Sequence, residues 1–373
     1  MRQNIIRHYG CSSELGTLVG ELSAERVLVL LGSSSSATEA IASLIEDLSG
    51  RCKIEVIRSS SKLPELEEIS AALPKVRAFS PELIVAIGGG RILDLAKAIN
   101  AFAGVEEAKL EAFLSGKENI PNVLCPMVAI PTTAGSGSES THFAVVYRGA
   151  QKYSLASPLL LPEYAFLDGR LIASLPKFVR GSSAFDALSQ AVESYWANSA
   201  SPESRRNAAA SLTRLRRILP GKIESRDPVH LQDSIEAANY SGQAINVSKT
   251  TAAHAYSYAF TYVNGIAHGQ AVGYTLPRIF DLHDRAENAK IIHPMGPDGF
   301  RDIMRELKAL LGIDQGGNPS EWFFSLLDNI GLSRDFSSIE FEKDYVAGSV
   351  NQERLSNNPV VFSADDIDYI FGT

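Results

Sequence analysis

The chain predicts a doubly wound α/β domain followed by an all-helical domain, and three observations carry that expectation. Short β-branched and leucine-rich runs that stop at glycine recur through the first 165 residues. Segments of helical spacing separate them. Beyond about Leu167 such runs cease, and long alanine-rich amphipathic stretches take over. Alternating strand and helix patterns imply a parallel sheet, and helical patterns alone imply a bundle.

Each element can be read in order. RVLVLLG from Arg26 to Gly32 is continuously apolar, as a strand covered on both faces must be. Ala37 to Leu48 has helical spacing, and CKIEVI from Cys52 to Ile57 reads as a second strand. LIVAI from Leu83 to Ile87 runs into three glycines, and Val128 to Pro131 makes a further strand. Helices are expected over Ala184–Asn198, Pro202–Leu219, Val229–Val247 and Thr251–Tyr262. Pro294–Gly299 and Gly316–Pro319 read as loops between helices. The domains are therefore expected to span 1–165 and 166–373, with no internal repeat.

The 373 residues are 45% hydrophobic and 21% charged, enough for two cores. A net charge of −8 argues against nucleic acid or an anionic membrane as the main partner. An anionic substrate would need a local basic pocket. Cys11, Cys52 and Cys125 are odd in number and form no CxxC pair, so they read as reduced packing residues of a cytoplasmic protein. The first residues lead into no apolar segment of the secretory type, and no run is long enough to span a membrane.

Two strand ends carry chemistry. At Gly88-Gly89-Gly90 a buried strand passes into a helix, and glycine lets backbone N–H groups approach an anion that the helix dipole also favours. The plain alternative is a tight strand–helix turn. The spacing is not GxGxxG, so an ordinary Rossmann fingerprint does not follow. The second end, PTTAGSGSE from Pro131 to Glu139, offers small hydroxyls to a phosphate, ribose or amide, or is simply a serine-rich loop. At the first strand's end an acid commonly holds the adenosine ribose. Here that position is Gly32, followed by serines, which permits NADPH as well as NADH.

In the helical half, Asp186 and Gln190 are four apart and share a helix face. His254 and His268 lie in apolar surroundings. Aspartate and histidine suit a divalent ion. Spacing alone leaves open whether these histidines are ligands or satisfied core residues.

The GGG-xx-D-xx-K turn, PTTAGSGSE, the DAxxxAxExY helix and AHG occur in the same order as in iron-containing (group III) alcohol dehydrogenases, which the chain resembles from about residue 26 to 290. The resemblance implies the dehydroquinate synthase-like fold: an N-terminal nucleotide-binding α/β domain and a C-terminal all-α metal-binding domain. It implies Asp186, His254 and His268 as metal ligands, and Gln190, which stands where the family has histidine, as a further and weaker ligand through its amide oxygen, with a water-bridged or three-ligand site as the alternative. It implies Gly88, Gly89, Gly90, Asp94, Thr132, Thr133 and Ser136 as cofactor contacts, with Lys152 near the nicotinamide ribose. Arg91 stands where serine is usual, and Tyr258 where a further histidine is common. DALSQAVESYW, INVSKTTAAHAYSY and ERLSNNPVVFS are similar to one branch, the phosphonoacetaldehyde reductases of phosphonate biosynthesis.

From that resemblance the expected activity is metal-dependent, NADPH- or NADH-linked reduction of a small aldehyde to its alcohol, with Fe²⁺ or Zn²⁺ ahead of Mn²⁺. Tyr258 or a water is the expected proton donor. Lys249 is the expected cation for a phosphonate, with Arg278 and Arg91 behind it; its plain alternative is a solvated lysine at a helix start. Relatives are often dimers or larger, so a homo-oligomer is expected. Three alternatives compete: a sugar-acid or polyol dehydrogenase, a dehydroquinate synthase-type lyase, and a non-catalytic binder.

Overall fold

The computed structural model describes residues 3–32, 38–61, 63–106, 109–149, 151–219, 221–314, 316–335, 339, 350 and 352–372, without the side chains of 258, 259, 262–264 and 352. It divides into two compact units, Met1–Ser174 and Leu175–Thr373.

The first unit is built on one six-stranded sheet. In chain order its strands and helices are β1 (Asn4–Arg7), α1 (Leu15–Glu21), β2 (Arg26–Gly32), α2 (Glu39–Arg51), β3 (Lys53–Ser59), α3 (Leu66–Phe79), β4 (Leu83–Gly88), α4 (Gly90–Phe102), α5 (Leu110–Leu114), β5 (Met127–Pro131), β6 (Phe143–Arg148), β7 (Gln151–Ala156) and β8 (Tyr164–Leu167). The sheet order is β1-β8-β5-β4-β2-β3, with every pair parallel, and β6 and β7 form a separate antiparallel hairpin.

Alternate side chains of the central strands enter two cores, as the two-residue strand period requires. Leu28, Leu30, Ile84, Ala86 and Ala129 pack with α3 and α4 on one face. Val27, Val29, Leu31, Val85, Ile87, Val128 and Ile130 pack with α1 and α2 on the other. Helices therefore change face between β2 and β4, and such a switch point opens a crevice at the strands' carboxyl ends. Gly32 and Gly88 end those two strands.

Three features differ from the sequence expectation. β8 lies inside the sheet, between β5 and β1, so the α/β unit runs on to Ser174 rather than ending at 165. β1 and β8 are only four residues long, too short to leave a pattern. Within Pro294–Gly299 a helix already starts at Gly296, because Pro297 suits the first helical turn, where its missing N–H is no loss.

The second unit contains α6 (Lys177–Trp196), α7 (Pro202–Ile218), α8 (Pro228–Ser248), α9 (Ala252–Asn264), α10 (His268–Asp284), α11 (Gly296–Leu311), α12 (Pro319–Ile330), α13 (Gln352–Ser356) and α14 (Ala364–Phe371). From Arg180 to Trp196 every α6 residue except Ser183 is buried. A helix buried all round lies at the centre of its bundle, and α7, α8, α10 and α12 pack on it. Sequence punctuation explains the starts of the surrounding helices. Ser201 caps α7 in a reciprocal capping box, Asp227 caps α8 and Asn318 caps α12, each followed by proline. Among the described residues no helix is long and apolar enough to cross a membrane.

Candidate active site: a carboxylate–imidazole centre and a glycine turn

The central helix α6 carries Asp186, Gln190 and Glu193 at i, i+4 and i+7, hence on one face, and all three are buried. His254 in the first turn of α9 places Nε2 3.2 Å from Asp186 Oδ1, and His268 at the start of α10 places Nε2 3.8 Å from the same oxygen. The imidazole rings meet edge to face at 5.2 Å. One donor atom from each of the three residues lies within 4.8 Å of the others.

Two local devices bring the histidines there. Gly269, next to His268, faces the backbone carbonyl of Ser182, and a Cβ would collide with it. Only glycine lets α10 start against α6, which explains the AHG spelling. The second device is Glu193. Its Oε1 accepts from Thr251 Oγ1 (2.8 Å) and from the N–H groups of Thr251 (3.2 Å), Ala253 (2.8 Å) and His254 (3.3 Å), capping the start of α9. Its other oxygen takes the Nδ1 hydrogen of His254. With Nδ1 committed as donor to Glu193, Nε2 is the nitrogen left to face Asp186, and once it gives up its hydrogen it is the one available to a metal, the arrangement seen when a carboxylate orients a metal-ligating histidine.

Charge reinforces the geometry. Burial alone would raise both carboxyls, but the neighbouring imidazoles hold Asp186 and Glu193 below their ordinary values. Burial would likewise lower His254, yet Glu193 and Asp186 raise it. Two buried carboxylates around two imidazoles make a pocket that favours positive charge. A divalent ion with ligand bonds of about 2.1 Å asks for donors about 3.4 Å apart in a tetrahedral shell, close to the spacing found here.

Gln190 behaves differently. Its Oε1 accepts from Ser241 Oγ at 3.1 Å, and its side chain also hydrogen-bonds Asp186 and helps hold that carboxyl low. An ionised carboxylate needs a donor, so the amide N–H₂ faces Asp186 and the oxygen faces away.

In the first unit, the structure brings the glycine turn and the hydroxyl loop together. A Cβ on Gly90 would strike Ser136, one on Gly89 would press on Thr133 Oγ1 at 3.2 Å, and one on Gly88 would meet Ile92 at 2.6 Å. None of the three has positive φ, so close approach explains them, not an unusual backbone conformation. Thr132 N donates to Gly88 O at 3.0 Å. Gly89 starts α4 without a side-chain cap, so the first N–H groups of this helix are left for an anion.

Asp94 and Lys97 hold the loop from below. Asp94 accepts from Ser138 Oγ (2.5 Å) and Val145 N (3.0 Å). The buried Lys97 ammonium donates to the carbonyls of Ser138 (2.6 Å), Thr141 (2.8 Å) and Phe143 (2.9 Å), and burial lowers it to about 8. Burial raises the Asp94 carboxyl, against the pull of Lys97 and, more weakly, Lys152 on β7.

Gly32 ends β2 opposite Ser59. Lys249 caps the end of α8 with a positive φ of 60°, and its exposed ammonium pairs with Glu353. Tyr258 falls on α9 one turn after His254, and its side chain lies outside the described residues.

The sequence reading gave no role to Glu193. Its spacing of seven from Asp186 and three from Gln190 was the available signal.

A parallel α/β unit with an anion-ready glycine turn, joined to a helical unit with an Asp/His/His centre, defines a metal-dependent nicotinamide dehydrogenase. Comparison with known proteins makes the family plain. The iron-containing alcohol dehydrogenase model matches residues 3–169, and the C-terminal model of the Fe-containing alcohol dehydrogenase family matches 181–373. The chain belongs to the iron-containing alcohol dehydrogenase family, and it is an alcohol dehydrogenase using a nicotinamide cofactor and a divalent metal, for which Fe²⁺ fits. It is 32% identical over 305 residues to an alcohol dehydrogenase of Thermococcus barophilus, covering 77% of this chain and 78% of the relative. It is 32% identical over 257 residues to a phosphonoacetaldehyde reductase of Streptomyces viridochromogenes, covering 66% of this chain and 64% of the relative. The structure of an iron-containing alcohol dehydrogenase from Thermotoga maritima superposes with a TM-score of 0.82 at 25% identity, covering all of this chain and 97% of that one.

Proposed function

We propose that the enzyme reduces phosphonoacetaldehyde to 2-hydroxyethylphosphonate at an ion held by Asp186, His254 and His268. The observation that carries the chemistry is the convergence of these three donors, with Glu193 fixing the tautomer of His254. When bound, the ion supplies Lewis acidity to a carbonyl oxygen and the nicotinamide supplies hydride. Asp186 brings the negative charge of the ligand set, the imidazoles bring neutral nitrogen donors, and Gln190 braces Asp186 rather than ligating. Gly88, Gly89 and Gly90 give the cofactor phosphates their backbone approach, while Asp94 and Lys97 fix the loop that carries Thr132, Thr133 and Ser136. Lys152 is the proposed contact to the nicotinamide ribose, and Tyr258, on the His254 side of α9, the proposed proton donor.

The choice of substrate rests on the phosphonoacetaldehyde reductase relative and on the INVSKTTAAHAYSY and ERLSNNPVVFS segments. These segments meet in the fold. Asn357 Nδ2 donates to the carbonyls of Ser248 (2.8 Å) and Thr250 (3.1 Å), and Arg354 reaches Thr250 Oγ1, so the second segment straps the α8–α9 junction that leads to His254.

Lys249 in that junction is the proposed cation for the phosphonate. Its partner Glu353 is an exposed carboxylate, and such surface pairs are weak enough for a dianion to displace. Lys249→Ala is expected to raise the KM for phosphonoacetaldehyde by about tenfold while acetaldehyde stays within about twofold, the difference expected for one charge-assisted contact. Equal changes for both aldehydes would remove Lys249 from substrate binding.

The substrate is tested by steady-state oxidation of NADPH and NADH with phosphonoacetaldehyde and acetaldehyde on the metal-loaded enzyme. A kcat/KM at least about a hundredfold higher for the phosphonate supports the assignment, equivalent to about 2.7 kcal/mol of transition-state discrimination. No preference would redirect the search to sugar-acid and polyol substrates.

A further inference from the structure

We propose that Arg91 reads the 2′-phosphate of NADPH and thereby sets the cofactor choice of this enzyme. The proposal rests on the nicotinamide-linked reading above and adds to it a residue-level selector.

The argument starts from sheet register. Gly32 pairs with Ser59, and Leu31 pairs with Ile87, so the ends of β3, β2 and β4 stand in line as Ser59, Gly32 and Gly88. Neighbouring strands lie about 4.8 Å apart, so β4 and β3 are separated by about 10 Å with the end of β2 between them. Arg91 leaves the first turn of α4, just past Gly88 on β4. Its guanidinium nevertheless bonds the end of β3: Nη1 donates to Ser59 Oγ at 2.5 Å and Nη2 to Ser59 O at 3.2 Å. The side chain therefore crosses the carboxyl end of β2, where Gly32 presents no side chain.

This is the place where an acid on β2 would accept the ribose 2′-hydroxyl and repel a phosphate ester. The chain has glycine there and lays a cation across it. Ser59 takes two of the five guanidinium N–H groups, which leaves donors for a phosphate. Burial lowers the Arg91 guanidinium and the field of Glu68 on α3 opposes that, and a guanidinium stays charged in either case. A planar fork held at Ser59 by two of its N–H groups has the geometry to offer others to two phosphate oxygens. The sequence reading placed Arg91 among weak candidates for the substrate phosphonate; its position at the β2–β3 edge assigns it to the adenosine end of the cofactor instead.

The test is the Kd of NADPH and NADH, read by nucleotide fluorescence on the metal-loaded enzyme without aldehyde, so that a wrong substrate assignment cannot affect it. The native enzyme is expected to bind NADPH at least about tenfold tighter than NADH. Arg91→Ala should raise the NADPH Kd by about 10- to 100-fold and leave the NADH Kd within about twofold, the range expected for loss of a charge-assisted pair. Arg91→Lys keeps the charge without the fork and should recover part of that loss. Adenosine 2′,5′-bisphosphate should displace NADPH from the native enzyme and lose that ability in Arg91→Ala. Equal weakening of both nucleotides, or no change in NADPH binding, would overturn the proposal and make Arg91 a brace of the sheet edge.

Discussion

Asp186→Asn is expected to lower turnover by at least about a thousandfold and to abolish stoichiometric metal retention. Asp186 Oδ1 is the vertex that both imidazoles face, at 3.2 and 3.8 Å. Asparagine keeps the shape but removes the single negative charge among the three proposed ligands. The Lewis-acid contribution of such an ion amounts to several kcal/mol, and about 4 kcal/mol corresponds to a thousandfold in rate. Metal content per chain after dialysis, measured beside kcat, checks it. A variant that keeps one tightly bound ion per chain would remove Asp186 from the ligand set.

Glu193→Gln has the second largest expected effect, although Glu193 touches no substrate. The carboxylate accepts four donors on one oxygen and the His254 Nδ1 hydrogen on the other. An amide retains the first oxygen and presents N–H₂ to His254. The imidazole then answers with Nδ1 as acceptor, which moves its hydrogen to Nε2, the atom needed for the ion. Metal affinity is expected to fall by about 10- to 100-fold, the usual loss when such an orienting partner is removed. The ratio of kcat to native kcat should recover in part as metal is raised. Titration with Fe²⁺ under anaerobic conditions reads it directly, and native affinity in the variant would show that Glu193 serves only to cap α9.

Much of this architecture could be read from the residues because burial on two faces leaves a plain signature. β2 and β4 are unbroken apolar runs ending in glycine, and the structure finds them at the centre of the sheet with the switch point between them. β1 and β8, four residues each, carry no comparable signal, and without β8 the pattern of the first unit stops at about residue 165 rather than at Ser174. The hairpin β6–β7 was equally hidden, since Phe143–Arg148 mixes buried and part-exposed residues. At the metal centre the ligand types and their motif were legible, while the groups that fix them were not. Glu193 reads as one more helical glutamate until Thr251, Ala253 and His254 fold onto it. Gly269 explains itself only against the Ser182 carbonyl. Arg91 and Ser59 are 32 residues apart, and no pattern connects them before the sheet register does.

The most direct test of the central claim is a metal titration of the stripped enzyme, with oxidation of the reduced nicotinamide by phosphonoacetaldehyde as the readout. The Asp186/His254/His268 centre predicts negligible turnover without metal and a linear rise with added Fe²⁺ that breaks at one ion per chain. Full turnover in the stripped enzyme, or a break well away from one ion per chain, would contradict it.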